Sequence, residues 1–259
     1  MALFTDPGVI TLDDLLQFEN SLVQVSTTHG IDVDTKITLA LSAIGDKLML
    51  WLLNAGASDP QFMYRRTLGL STVVVTAPLY RWICFDSLSR FFEEAYNVQL
   101  NTRFQGKWTE YQEQASEASD MVFMSGVGIV YNPLPKPTMP VIELGSGSIL
   151  SESLFVQTTW VDSNGNEGAP SPVNGQLVPN FSSVSVTPST QVMPMPRTVC
   201  GWNVYASTSN ANLQLQNTSP LPLNSSWSLP VAGVIGGPQP SGGQQPNFYL
   251  AFSRRIQRG

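Results

Sequence analysis

From residue 34 to residue 52, apolar side chains recur at steps of three and four: Ile37, Ala40, Leu41, Ile44, Leu48, Trp51 and Leu52. That spacing puts them on one side of an α-helix. Asp34 is the expected N-cap, and Asn54-Ala55-Gly56 the expected stop. The same period returns in Leu79, Trp82, Ile83, Leu88, Phe91, Phe92 and Ala95. There Thr76 predicts the cap and Pro78 sits in the first turn, where its missing N–H costs nothing. A further helix is predicted over 99–124, with Trp108, Tyr111, Ala115, Ala118 and Val122 turned inward. A short helix carrying Leu12, Leu15, Leu16 and Glu19 opens at Thr11, with Asp14 three residues on in a loose capping box. About four helices are therefore expected in residues 1–125. Val73-Val74-Val75 fits either a short strand or an extended linker.

Beyond residue 140 the period changes. Residues 153–162 are rich in β-branched and aromatic side chains and predict a strand, followed by turn chemistry in Ser163-Asn164-Gly165-Asn166-Glu167-Gly168. Further strands are predicted at 183–187, 201–207 and 226–229. In Gly201-Trp202-Asn203-Val204-Tyr205-Ala206-Ser207, alternation puts Trp202, Val204 and Ala206 on one face, with Trp202 in the core. Short strands separated by such turns predict a β-sandwich over 141–231. Between the halves, 126–140 contains Pro133, Pro135 and Pro137 and reads as a stiff extended linker. Residues 232–259 read as a tether, Gly233 to Gln245, and a C-terminal docking tail. The expected class is α+β: an N-terminal helical bundle followed by a C-terminal β-sandwich.

Composition supports the split. Residues 1–125 hold 15 acidic and 8 basic side chains but only three of the 19 prolines, while the remaining 16 fall in the proline-tolerant second part. The net charge of −6 argues against nucleic-acid binding, which needs clustered Lys and Arg. No apolar run is long enough for a membrane span, and no basic-then-apolar leader is expected, because Asp6 comes early. Cys84 and Cys200 lie far apart in segments of different character, so a reduced, cytoplasmic site of synthesis is expected.

Catalytic motifs are not found. His29 is the only histidine, read as a loop residue before the second helix, and no nucleophile signature accompanies it. One His and two distant Cys make no closed zinc site, and no phosphate-loop or dinucleotide fingerprint occurs. The chain is thus expected to be no enzyme and to need no cofactor or metal. Glu110, Glu113 and Glu117 read either as a solvated helix face or as an acidic face toward a lumen or neighbouring subunit. Trp82, Phe85, Phe91, Phe92 and Tyr96 are too many for one inward stripe; the surplus fits a subunit interface or a contact with the β domain. In the tail, Phe248, Tyr249 and Phe252 precede Arg254, Arg255 and Arg258. This is either the last strand of the sandwich with a solubilising end, or a peptide that docks on carboxylates of a partner.

Leu68 to Trp82, with Ala95-Tyr96-Asn97 and Gly106-Lys107-Trp108-Thr109-Glu110-Tyr111, resembles the head-to-tail adaptor (connector, neck) proteins of tailed bacteriophages. The segment Gly165-Asn166-Glu167-Gly168-Ala169-Pro170-Ser171-Pro172 and the strand from Gly201 to Ser207 are similar to immunoglobulin-like or fibronectin-type modules of phage particles. The resemblance implies a structural virion protein of the neck. It implies a homo-oligomeric, twelve-membered ring that binds portal protein and tail or tail-completion proteins, and DNA passing through it without specific binding. Acidic helices lining the lumen would repel that DNA. A carbohydrate-binding surface or fibre protein, with Trp160, Trp227 or Tyr205 as sugar platforms, is one alternative; a cell-wall hydrolase with a binding module is another, against which the single histidine and the lack of a nucleophile motif speak.

Overall fold

The computed structural model describes residues 1–55, 68–99, 102–189 and 197–251. It has the expected α+β layout of helices followed by antiparallel sheets. Among the described residues, five α-helices occupy the first half: α1 Leu12–Leu16, α2 Leu22–His29, α3 Val33–Ala55, α4 Ala77–Gln99 and α5 Thr102–Ser125. Helix α4 packs against both α3 and α5 and is the most enclosed of the set, with Leu79, Trp82, Ile83, Leu88, Phe91 and Phe92 all buried.

Local chemistry fixes the ends. The Asp14 carboxylate accepts both the Thr11 N–H (2.8 Å) and the Thr11 hydroxyl (2.7 Å), closing the box at α1. Helix α1 is shorter than the pattern implied, and Glu19 lies in the turn beyond it. Helix α3 starts earlier than expected because Asp32, not Asp34, takes the cap position, accepting the Asp34 N–H at 3.1 Å. Helix α2 went unforeseen. Its Val, Thr and Thr residues lower intrinsic helix propensity. Its stop is nonetheless well defined: Gly30 at φ 66 adopts the left-handed cap, and Ile31 N–H reaches back to Ser26 O. His29 is therefore the last residue of a helix, not of a loop, and its ring lies edge-on to Phe104. Along α5 the buried stripe is Phe104, Tyr111, Ala115, Ala118 and Val122; Trp108 is only half-buried, stacked on Tyr96.

The contacts divide the chain at other places than the sequence boundaries. One unit comprises Gly8–Ile129 and Pro246–Gly259, the other Met1–Pro7 and Val130–Gln245. In the helical unit, Gly126 at φ 94 turns the chain out of α5 into β1, Val127–Ile129. Strand β1 pairs with β9, Phe248–Leu250, in the register Val127↔Leu250 and Ile129↔Phe248. On its other side the Val74 N–H donates to Gly128 O at 2.9 Å, so the triple-valine stretch is extended and buried.

The β unit is a sandwich of two antiparallel sheets. One has the order β2-β5-β8, made of Val141–Ile149, Ser182–Thr187 and Trp227–Ser228. The other has the order β4-β3-β6-β7, made of Asn174–Val178, Glu152–Asp162, Val199–Ser207 and Gln214–Leu215. Strands β2 and β4 carried little apolar pattern and were not predicted. Ile149, Val184, Val186 and Trp227 from the first sheet meet Leu154, Val156, Trp160, Trp202 and Val204 from the second in one core. Trp202 is fully buried as expected, and its indole N–H donates to Pro222 O at 2.9 Å.

The supposed linker and tether belong to this unit. Leu134 sits in the sandwich core, and its N–H donates to the buried Gln244 side chain, which in turn donates to Asn132 O. Leu215 N–H donates to Pro238 O, so the proline- and glycine-rich stretch is anchored along β7.

Candidate functional site

The residues singled out in the tail part company. Phe248 and Tyr249 lie in β9 of the helical unit, so the segment is a strand, though not the last strand of the sandwich. Tyr249 is exposed, and Leu250, unremarked in the sequence, is the buried member. Phe252, Arg254, Arg255 and Arg258 lie outside the described residues.

Glu110, Glu113 and Glu117 share one exposed face of α5, and Asp120, Met121 and Met124 continue it toward the helix end. The surplus aromatics of α4 are absorbed inside the helical unit: Phe85 packs on Phe18 and Tyr111, and Tyr96 on Trp108. Neither of the two readings offered from sequence is needed for them.

The best-organised ionic group in this unit is Glu19. Its carboxylate accepts from Lys107 Nζ, from the Ser21 hydroxyl at 2.6 Å and from the Tyr111 hydroxyl at 3.2 Å. Burial pushes its pKa up, but the Lys107 and Ser21 bonds outweigh that and hold it below the ordinary value. Burial and the Glu19 charge push the Tyr111 phenol up. Between α3, α4 and α5 lies a polar cleft of about 350 Å³ lined by Lys47, Asp86, Arg90, Glu93, Gln112 and Ser116. Within it Arg90 donates to Asp86 at 2.7 Å, and Lys47 lies 5.4 Å from the Trp82 ring centre. Burial drives the Cys84 thiol up to about 12, which leaves it a poor nucleophile.

In the β unit, Glu167 is the counterpart of Glu19. One of its carboxylate oxygens accepts from the Thr159 hydroxyl, from Asn203 at 2.9 Å and from the Tyr205 hydroxyl at 2.6 Å. This network holds the chain returning from β3. Asp162 first folds the turn by accepting the N–H groups of Asn164 and Asn166. Gly168 and Ser171 then pair with Trp160 and Thr158. The motif read from sequence is thus a hairpin staple, tied by Asp162 and Glu167. The proposed sugar platforms fail on burial: Trp160 is 1% exposed, Tyr205 3% and Trp227 7%. None can offer a ring face to a ligand.

No family model, no curated protein and no solved structure matches the chain. Among the described residues, no group of three or more His, Cys, Asp or Glu is placed to hold a metal ion, and no helix is long and apolar enough to cross a membrane.

Two apolar surfaces escaped the sequence reading. On α3, Leu50 and Leu53 are each 62% exposed, and Leu39 stands about three turns back on the same face. At one end of the sandwich, Leu150, Leu177 and Phe181 are exposed by 70%, 67% and 74%. They are neighbours: Leu177 faces Ser153 across the β3–β4 ladder, and Ser151 N–H donates to the Asn180 side chain. Phe181 has φ 60, the only described residue other than glycine in the left-handed region. A bulky residue held there costs about 1–2 kcal/mol. An alternating strand pattern cannot reveal such a surface, because Phe181 lies in the turn between β4 and β5.

Proposed function

We propose that this chain is a structural virion protein whose copies close into a ring joining a phage portal to the tail, with DNA passing through unbound. The observation that supports this best is that each unit leaves neighbouring large apolar side chains in solvent. In the helical unit these are Leu50 and Leu53, and in the β unit Leu150, Leu177 and Phe181. Patches of that kind mark protein–protein surfaces. A closed ring needs two unlike faces on each subunit, and a connector needs a further surface for its partner. The strained Phe181 fits a binding role, since backbone strain clusters at functional sites. The Glu110, Glu113 and Glu117 face is the lumen or subunit face in this reading, and the C-terminal residues from Phe248 onward contribute to portal docking. The site of action is the neck of the particle, after synthesis in the host cytoplasm, and the role is architectural, not enzymatic.

Mass photometry and electron microscopy of the chain mixed with portal protein test the proposal. Wild type should form rings. Leu50→Glu combined with Leu53→Glu should prevent them while leaving far-ultraviolet circular dichroism unchanged. Phe181→Gly should leave the melting temperature equal or higher, since the left-handed strain is relieved, yet weaken attachment. A wild-type chain that stays monomeric beside portal, or a Phe181→Gly variant that attaches as well as wild type, would count against the reading.

A further inference from the structure

The edges of the two sandwich sheets are unequally guarded. Strands β7 and β8 are two residues each, with Pro238 O bonded along β7, and β4 has five. Strand β2 ends its sheet with nine residues, Val141–Ile149, exposed along most of their length. Edge strands are ordinarily blunted by proline, lysine or brevity. Strand β2 contains neither residue, and Glu143 is its one charge. A bulge between Ser146 and Ile149 ends its regular part.

The direction of its free backbone groups follows from the strands beside it. Val184 stands opposite Leu144, and Val184 O accepts the Leu229 N–H at 3.1 Å from the β8 side. In an antiparallel ladder a residue's N–H and C=O point to the same neighbour. Those of Val184 therefore point toward β8, and those of Leu144 away from β5. By alternation, Ile142, Leu144 and Ser146 all aim donors and acceptors out of the sheet. The Leu144 side chain shows the same incompleteness. It shares the core face with Val184, yet it is 41% exposed where Val184 is 2%. Backbone and side chain alike fit one more strand at this edge.

We propose that the added strand is β2 of a second copy, antiparallel about a two-fold axis at Leu144. Opposed residues must share a face, and outward-pointing groups must meet. Leu144 can then face Ile142, Ser146 or Leu144 of the second copy. The first register sets the two Glu143 carboxylates directly opposite each other, which is destabilising. The second runs the pairing into the bulge. In the third, Leu144 meets Leu144 on the core face, Ile142 meets Ser146, and Glu143 meets Gly145, which has no side chain to crowd it. Each half-exposed leucine covers the other, and the two sheets join as β8-β5-β2-β2-β5-β8. A foreign strand would have to bring this match of charge and apolar positions; β2 carries it in itself. A two-fold contact closes at two copies. It uses neither Leu50 and Leu53 nor Phe181, so it is a property of the free chain that stands apart from the ring reading.

Sedimentation velocity of the full chain over a wide concentration range reads the pairing, and wild type should move from one copy to two. Leu144→Lys sets two ammonium groups against each other at a position already half in solvent, and should weaken the pair about ten-fold. Leu144→Cys in a Cys200→Ser background should cross-link under mild oxidant, since such a pair sets its Cα atoms about 5.5 Å apart, within disulfide reach. Leu177→Cys in the same background is the control, more exposed but on the other sheet, and should not cross-link. Amide exchange at Ile142, Leu144 and Ser146 should slow about ten-fold as wild-type concentration rises. Leu50→Glu with Leu53→Glu, which blocks rings in the proposed function, should pair as wild type does, so the two readings fail separately. The proposal is overturned by a chain that stays monomeric at every concentration, or by a Leu144→Cys variant that cross-links no faster than Leu177→Cys. Protection of β2 that appears only when another protein is added would assign the edge to a foreign strand, and overturns it equally.

Discussion

Glu19 shows how a single carboxylate can tie distant segments together. It lies in the turn after α1, yet its partners Lys107 and Tyr111 are on α5, some ninety residues further on. Its pKa is held below the ordinary value, so the sign of its effect on stability follows directly. The folded state prefers the ionised form; the stabilisation is present above the unfolded value and lost as pH falls through the folded one. Glu19→Gln should therefore destabilise the helical unit by about 1–2 kcal/mol near neutral pH, discounted for the partly exposed Lys107. In acid the difference between variant and wild type should shrink. Denaturant melts at several pH values check this, and a gap that does not change with pH would mean the ion pair contributes nothing. From the sequence, Glu19 was read as one more helix residue. A pairing across ninety residues leaves no local pattern.

The elements that were legible are those whose burial is one-sided and regular. Helix α4 was read almost whole, since Thr76, Pro78 and the apolar stripe agree, and β6 was legible through Trp202, Val204 and Ala206. Strand β2 was not, because Glu143-Leu144-Gly145-Ser146-Gly147-Ser148 is exposed at the sandwich edge and carries almost no apolar alternation. Strand β9 was legible as a strand, but its partner was not: three residues of alternating pattern fit either unit, and only the register with β1 decides. This gives a sharp test. Ending the chain after Ala251 should leave the helical unit as stable as wild type, since β9 is intact. Ending it after Gln245 removes the buried Leu250 and uncovers Val127 and Ile129, which should cost about 2–4 kcal/mol. Thermal melts of the two truncations separate the strand from the tail behind it, and equal melting temperatures would show that β9 adds nothing to the helical unit.

At the scale of the whole chain, the two units are not two consecutive stretches of sequence. The first seven residues belong to the β unit and the last fourteen to the helical one. Boundaries placed by composition, at residues 125 and 140, follow the change from helix to strand and miss both terminal exchanges, because seven residues carry too little pattern to reveal a partner 130 positions away. The N-terminal segment is firmly held. Leu3 and Phe4 are buried, and the Asp6 carboxylate accepts the Leu3 N–H at 2.7 Å and the Lys136 N–H at 2.8 Å. Met1 O crowds Gly243 so closely that a Cβ there would stand 2.3 Å away. Deleting residues 1–7 from the full chain should thus lower hydrogen-exchange protection in β3 and β6 while leaving α4 unchanged. Burial raises the Asp6 pKa more than its two N–H bonds lower it. A raised folded value means that this group's contribution is complete in acid and is lost as pH rises through it. The protection lost on deletion should accordingly be larger near pH 4 than near pH 7, the opposite sense to Glu19. A deletion that weakened α4 as much as β3 would show that the first seven residues serve the helical unit as well, and one that weakened neither would show that their burial contributes no stability.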